Sequence, residues 1–451
     1  MPDLSDEIMP TVRWVQRVTA SALYVLANAV LSLARCCLWP RRRPAQACSV
    51  CVYRIGNLGD ILCALPAMDA VRRAYPAARI TLATSPGKTG MPGARELLAD
   101  APWLDELFVY HSEDIRTLRQ RVRLIRQLRR KKFDVWIELP SSLATFPVLL
   151  RNMLAARLSG AKWGYGWTVS TIRWAARAQA ERNVFPNEVE RLLNIVAQYG
   201  IRTPSPQFPL PITEQHVAAV DGLLQNLMTQ SSPVVAIAPG AKRPANRWPL
   251  DRYAEVGRAL LRRGFRVLLL GGADDEPSCA WIASQIGRNA LNLAGRTSAL
   301  ESCEVLRRCA FVVCNDSGVQ HMAAAVGTPC VSVFSAREMR GKWHPHGPQH
   351  VVLREDVPCR ACYLDQCPWD NFCMKLVQVP DVLRAAERLS AVSFGCAAAT
   401  PERLPYSDSQ PPPLAVRGAK VHAGDRSSSP RSRHAERSEA SRHFPGAAGQ
   451  C

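Results

Sequence analysis

Residues 311–334 leave this chain few folds to choose from. Phe311-Val-Val-Cys-Asn315 is an apolar, β-forming run, Asp316-Ser317-Gly318 breaks it, and a helix of small residues opens there. Gly327-Thr328-Pro329 then stops the helix, and Cys330-Val-Ser-Val-Phe334 reads as a second buried strand. Two apolar strands joined through a helix form a βαβ unit, so the sheet is parallel. The free N–H groups and positive dipole end where this helix begins are a seat for phosphate.

The same alternation recurs upstream. Cys48 to Ile55 reads as a buried strand, Gly56-Asn57-Leu58-Gly59-Asp60 interrupts it, and Leu62, Leu65, Met68 and Val71 carry a helix from Ile61 onward. Strands are expected over 78–83 and 133–139, a strongly basic amphipathic helix over 112–132, a loop rich in Gly and Trp over 160–167, and a helix over 187–199. Prolines at 204, 206, 209 and 211 break regular structure, after which strands at 234–238 and 265–270 and helices at 250–263 and 277–286 lead into the central unit. The expectation is an α/β chain of two facing, doubly wound halves: an N-terminal helical segment over 1–46, one half over 47–205, a second over 206–393, and a disordered tail over 394–451.

Charge narrows the partners. The chain carries 57 Lys and Arg against 38 Asp and Glu, a formal net charge of +19, which points to an anionic partner. Basic residues are not interleaved with aromatics and no paired-His zinc-finger spacing occurs, so nucleic acid ranks below a phosphorylated ligand or an acidic membrane surface. Of the 16 cysteines, Cys63, Cys309, Cys314 and Cys330 sit in apolar runs as small hydrophobes, which suits a reducing cytoplasm. Between Arg17 and Arg35 the uncharged stretch 18–34 is short for a membrane span, and Arg41-Arg42-Arg43 follows. Two readings stand: a helix lying on the anionic cytoplasmic leaflet, peripheral on the inner membrane, or an extra helix packed on the core.

Four motifs taken together carry a resemblance. Arg54-Ile-Gly-Asn-Leu-Gly-Asp60, Pro239-Gly-Ala-Lys-Arg-Pro-Ala-Asn-Arg-Trp-Pro249, Leu293-Ala-Gly-Arg-Thr-Ser298 and Asn315-Asp-Ser-Gly-Val-Gln-His321 resemble those of glycosyltransferase family 9, the heptosyltransferase-like enzymes, over about residues 48–392. The resemblance implies a GT-B fold of two Rossmann-like domains. It also implies inverting transfer from a nucleotide-sugar donor, such as ADP-heptose, to a lipopolysaccharide core or another anionic surface glycan, with no metal required.

It implies roles for residues as well. Asp60 matches the general base, with Gly56 and Gly59 giving acceptor-side access; the competing reading of Asp60 is a helix cap. Asp316, Ser317, Gly318 and His321 match the donor-binding turn, Lys242, Arg243 and Arg247 can supply cations to the diphosphate, and Arg296 and Thr297 match a nucleotide-contacting position. Where many family members have lysine, this chain has Asn246, a departure that leaves open a catalytically silent nucleotide-sugar binder. A dinucleotide-dependent oxidoreductase ranks lower, for the first strand lacks the tight glycine fingerprint. Cys359, Cys362, Cys367 and Cys373 are spaced so that they can surround a structural zinc or iron-sulfur cluster, form disulfides or remain free thiols, and the three readings stay open.

Overall fold

A computed structural model describes residues 5–40, 44, 46–170, 184–228, 232–287 and 290–393. The tail over 394–451 and the arginines at 41–43 lie outside the described residues. Helix α1 (Ser5–Leu38) leads into β1 (Ser49–Ile55), α2 (Leu58–Ala74), β2 (Arg79–Ser85), α3 (Arg95–Leu98), β3 (Glu106–Val109), α4 (Leu118–Arg129), β4 (Val135–Glu138), α5 (Phe146–Leu158) and β5 (Trp163–Tyr165). Their strands form one sheet in the order β3-β2-β1-β4-β5, with every pairing parallel.

Helices α6 (Glu188–Ala197) and α7 (Glu214–Met228) precede the second series. It comprises β6 (Val234–Ala238), α8 (Leu250–Arg262), β7 (Arg266–Leu269), α9 (Glu276–Ile286), β8 (Ala290–Asn292), α10 (Ala299–Arg307), β9 (Phe311–Asn315), α11 (Gly318–Ala325), β10 (Cys330–Phe334) and β11 (Val351–Arg354), closed by α12 (Phe372–Leu376) and α13 (Val379–Ser393). The sheet order is β11-β10-β9-β6-β7-β8, again all parallel. The α/β class with two parallel sheets stands as expected. Strands β6, β9 and β10 are buried at every position, as sheets covered on both faces require.

Local chemistry moved several boundaries. The basic helix begins at Leu118 rather than at 112, because Thr117 takes the N–H of Gln120 on Oγ1 (3.3 Å) while Gln120 Oε1 takes the N–H of Thr117 (2.8 Å). That reciprocal cap starts a new helix after a 3₁₀ turn at Ser112–Ile115. Only Leu128 of α4 is buried, so its arginines are solvated. The stretch 160–167 contains an edge strand, β5, whose Trp163 and Tyr165 pack inward.

Helix α1 packs along one seam on the first core, while by length and composition Val18–Leu38, 21 residues, is long and apolar enough to cross a membrane. Ala20 and Leu31 are buried, and Ala27, Ala34 and Leu38 lie half-buried on the first core, a seam at three- to four-residue spacing. Asn28 exchanges two hydrogen bonds with the Val169 backbone (2.9 and 3.2 Å), Trp39 Nε1 donates to Ala161 O (2.8 Å), and the Trp39 ring stacks on Trp167 at 5.2 Å. The opposite face remains apolar and exposed, with Val25 at 65% and Leu33 at 66% of their free surface.

Candidate functional site

Each sheet reverses its winding once, between β1 and β4 in the first and between β6 and β9 in the second. Beyond the carboxyl ends of strands at such a reversal the neighbouring loops run apart and leave a crevice. Three of the four motifs, at 54–60, 239–249 and 315–321, follow β1, β6 and β9 and line the two crevices, whereas Leu293 to Ser298 follows the edge strand β8.

Gly56 and Gly59 let the first loop close around Asp60. A Cβ on Gly56, whose φ is +157°, would overlap the Asp60 side chain, so this position accepts no larger residue without moving the carboxylate. Helix α2 begins at Leu58, three residues earlier than expected, and Asn57 is its N-cap. Asp60 is therefore the third helical residue, and its Oδ2 accepts the Asn57 N–H at 3.1 Å. Its Oδ1 accepts from Arg54 Nη2 at 3.3 Å, yet the side chain keeps 28% of its surface open. Burial raises the Asp60 pKa above the usual carboxylate value, and the Arg54 guanidinium opposes that rise.

Across from it stands the start of α11. A Cβ on Gly59 would lie 3.1 Å from His321 Cδ2 and 3.8 Å from Gly318 Cα, so the two helix starts meet with only glycine between them. Ser317 is the N-cap of α11, but its Oγ, although buried, makes no hydrogen bond. Asp316 turns inward: Oδ1 accepts from Gln320 Nε2 (2.9 Å) and Oδ2 from Asn246 Nδ2 (3.0 Å). Burial, with Glu338 adding to it, raises the Asp316 pKa to about 7. His321 is buried against Trp343 and Cys63, its Nδ1 3.4 Å from Cys63 Sγ, and burial lowers its pKa to about 4, so the ring is neutral near pH 7.

Lys242 crosses between the halves. Its Nζ donates to Asn57 Oδ1 at 2.5 Å, and burial, with Arg243 next to it, lowers its pKa. Asn246 is buried and fully engaged, donating to Asp316 and accepting from Ser335 Oγ at 2.7 Å. An amide here binds the carboxylate without neutralising it, and the cations acting on Asp316 are Arg337 and Arg243.

The remaining candidates lie farther out. Arg243 pairs with Asp365 (2.9 Å), and Arg247 donates back to Ala241 O (3.0 Å) on the wall of a cleft of about 290 Å³ that Trp248, Asp275 and Asn371 also line. Arg296 reaches Asn292 O (3.4 Å) and Thr297 Oγ1 meets Ser302 Oγ (2.8 Å), both beyond β8 at the sheet edge and apart from the Asp60 group. Cys359, Cys362, Cys367 and Cys373 do gather, lining one small apolar cavity beside Ala245, Ser335 and Arg337. All four are free of disulfides, and among the described residues no three ligating side chains stand close enough to hold a metal ion, so the geometry does not fit a zinc or cluster site.

The profile of glycosyltransferase family 9 (heptosyltransferase) matches residues 121–372, more than half of the chain. The chain belongs to glycosyltransferase family 9. It is 27% identical over 228 residues to lipopolysaccharide heptosyltransferase 2 of Escherichia coli K12, covering 48% of this chain and 63% of that protein. It is 23% identical over 344 residues to lipopolysaccharide heptosyltransferase 1 of Pseudomonas aeruginosa, covering 71% and 87%. Its fold is similar to a family 9 glycosyl transferase from Veillonella parvula (TM-score 0.62, 18% identity, 76% of this chain and 97% of that one). It is also similar to the E. coli ADP-heptose heptosyltransferase II (TM-score 0.55, 22% identity, 76% and 99%). The fold of this family 9 member is thus GT-B, two Rossmann-like halves facing one another.

Two buried residues around Asp60 escaped the sequence reading. Arg54 stands inside a quoted motif, where it reads as one more strand residue, and Glu188 reads as an ordinary first-turn acid of α6. No spacing rule links them.

Proposed function

We propose that this family 9 member is an inverting glycosyltransferase that moves heptose from a nucleotide-activated donor, ADP-heptose, onto an anionic glycolipid acceptor of the lipopolysaccharide-core type. The observation that carries the reading is the meeting of two helix starts, one presenting the Asp60 carboxylate and the other presenting Ser317 and Gly318, with Lys242 reaching across. In this reading residues 47–205 hold the acceptor and residues 206–393 the donor.

The steps follow from charge. Asp60 takes the proton of an acceptor hydroxyl while that oxygen bonds the anomeric carbon, and the bond from that carbon to the diphosphate oxygen breaks on the opposite face. Negative charge then builds on the departing nucleoside diphosphate. The start of α11, the unpartnered Ser317 hydroxyl and the Lys242 ammonium meet that charge. Gly318 lets the diphosphate approach the backbone closely. Arg243 and Arg247 extend the positive edge, and Arg296 and Thr297 contact the nucleoside. Asp316 and His321 shape the floor, Asp316 accepting from or donating to a sugar hydroxyl according to pH.

The same proposal places the enzyme in the cytoplasm, peripheral on the inner membrane. The apolar outer face of α1, with Leu154 and Leu158 exposed on the neighbouring α5, enters the headgroup region, and Arg35, Arg157 and the arginines of α4 meet anionic lipid. The decisive experiment is Asp60→Asn assayed with ADP-heptose and a core acceptor. Loss of transfer with unchanged ADP affinity supports the reading, and full transfer overturns it.

A further inference from the structure

Arg54 is the last buried side chain of β1, and every direction of its guanidinium is occupied. Nη1 donates to the carbonyls of Leu139 (3.3 Å) and Pro140 (2.9 Å) beyond β4, and Nε donates to Asp60 O (3.3 Å). Nη2 is shared between Asp60 Oδ1 (3.3 Å) and Glu188 Oε1 (3.1 Å). Glu188 is itself buried and takes Arg191 Nε on Oε2 (2.8 Å) and Arg191 Nη2 on Oε1 (2.8 Å). Two carboxylates and two guanidiniums thus form one line, Asp60-Arg54-Glu188-Arg191, of zero net charge.

Such a line is a poor stabiliser. Taking the charges of Arg54, Glu188 and Arg191 largely out of water is costly, and well-packed apolar side chains commonly serve a fold as well or better. Its placement gives it another use. Arg54 spans the reversal between β1 and β4, where the first crevice opens, and clamps the Asp60 carboxylate. Glu188 is joined to that second half, its N–H donating to Lys342 O at 2.9 Å.

We propose that Arg54 and Glu188 act together as positioning residues behind Asp60, Arg54 aiming and ionising the carboxylate and Glu188 drawing off part of the Arg54 charge so that Asp60 still accepts a proton. Alone, Arg54 would hold Asp60 in a full ion pair and make it a weak base. Without Arg54, nothing at this distance would oppose the effect of burial, and a smaller share of Asp60 would be ionised and able to accept a proton. The inference rests on Asp60 being the base.

The surroundings of Asp60 are few enough to test this. Facing it are Arg54 from β1, Glu188 from α6 and Lys242 from the β6 loop, and beside them Cys63 from α2 is flanked by Asp316 and His321 at the start of α11. Behind Glu188 lie Arg191 and Lys342, the latter held by Glu338 at 3.1 Å. His321 stays neutral through the neutral range, and Lys242 is common to every variant below.

The experiment is the pH dependence of kcat/KM for full-length parent, Glu188→Gln, Arg54→Gln and the double variant, with Asp60→Asn as control and ADP affinity measured in each. In Glu188→Gln the acid limb moves down by about one pH unit and the plateau falls roughly tenfold, since Arg54 then acts on Asp60 undivided. In Arg54→Gln the limb moves up. The double variant, which loses one charge of each sign, returns toward the parent and serves as the test should either single variant fail to fold. ADP affinity stays within twofold throughout. Unmoved limbs, or limbs that move the same way in both single variants, overturn this inference while an inactive Asp60→Asn leaves the base reading intact. An active Asp60→Asn overturns the base reading itself.

Discussion

The starts of α2 and α11 are built alike and behave oppositely. Each follows a buried central strand, each opens on a glycine-bearing turn, and each lies beyond the carboxyl end of a strand at a winding reversal. In α2 the free helix end is closed from within, because Asp60 Oδ2 accepts the Asn57 N–H and the N-cap amide is spent on Pro86, Pro92 and Lys242. In α11 the cap hydroxyl of Ser317 is unspent, and the neighbouring Asp316 carboxylate is drawn aside by Asn246 and Gln320. A helix start attracts anions either way, but one has bound its own carboxylate and the other keeps its cap hydroxyl unbonded. The comparison teaches that a strand-turn-helix motif closes on its own carboxylate or keeps its cap open according to which side chain fills its first turn.

The largest effect that would break the contrast is at the closed start. Asp60→Asn keeps the cap geometry and removes the proton acceptor, so kcat falls about 10²- to 10⁴-fold while ADP affinity holds within twofold, read by steady-state rates and calorimetry. Gly56→Ala, whose added methyl collides with Asp60, lowers kcat by roughly tenfold or more with the fold retained by circular dichroism. At the open start the loss appears in binding instead. Lys242→Met weakens ADP by roughly 10- to 100-fold, the worth of about 1.5–3 kcal/mol for a hydrogen bond to a charged group. Ser317→Ala acts in the same direction with a smaller effect. A loss of kcat without loss of ADP binding in either variant would erase the distinction.

The last effect concerns stability. The Asp316 pKa of about 7 lies above the ordinary carboxylate value, so the folded chain holds a proton that the unfolded chain releases. Stability is therefore lost as pH rises from about 4 toward 7, and the penalty is constant above that range. Asp316→Asn escapes the penalty. Its Tm exceeds the parent's at pH 8, and the gap closes toward pH 4, as scanning calorimetry at both pH values would record.

The helices and strands with strong local signals were legible. The β9-α11-β10 unit was readable because an unbroken apolar run, a polar turn and a glycine-proline stop each constrain the backbone locally. Strand β5 was hidden because its Gly and Trp pattern, without a partner strand, reads as a loop. The cap of α2 was misplaced by three residues because Asn57 and Asp60 both suit that position, and only the Asn57 N–H bond to Asp60 decides between them. Cys359 to Cys373 show the converse. Their spacing admits a metal, and side-chain placement around an apolar cavity does not supply the geometry.

By itself the sequence determined the alternation of strands and helices in both halves, the parallel sense of both sheets and the turns that carry Asp60 and Asp316. Those properties follow from hydrophobic period and from residues a few positions apart. Tertiary structure alone decided that Lys242 would reach Asn57 from 185 residues away and that Arg54 would share its charge with Glu188 from 134 residues away. The physical reason is that a buried charge is tolerable only where folding delivers a partner to it, and no local pattern records which partner that will be.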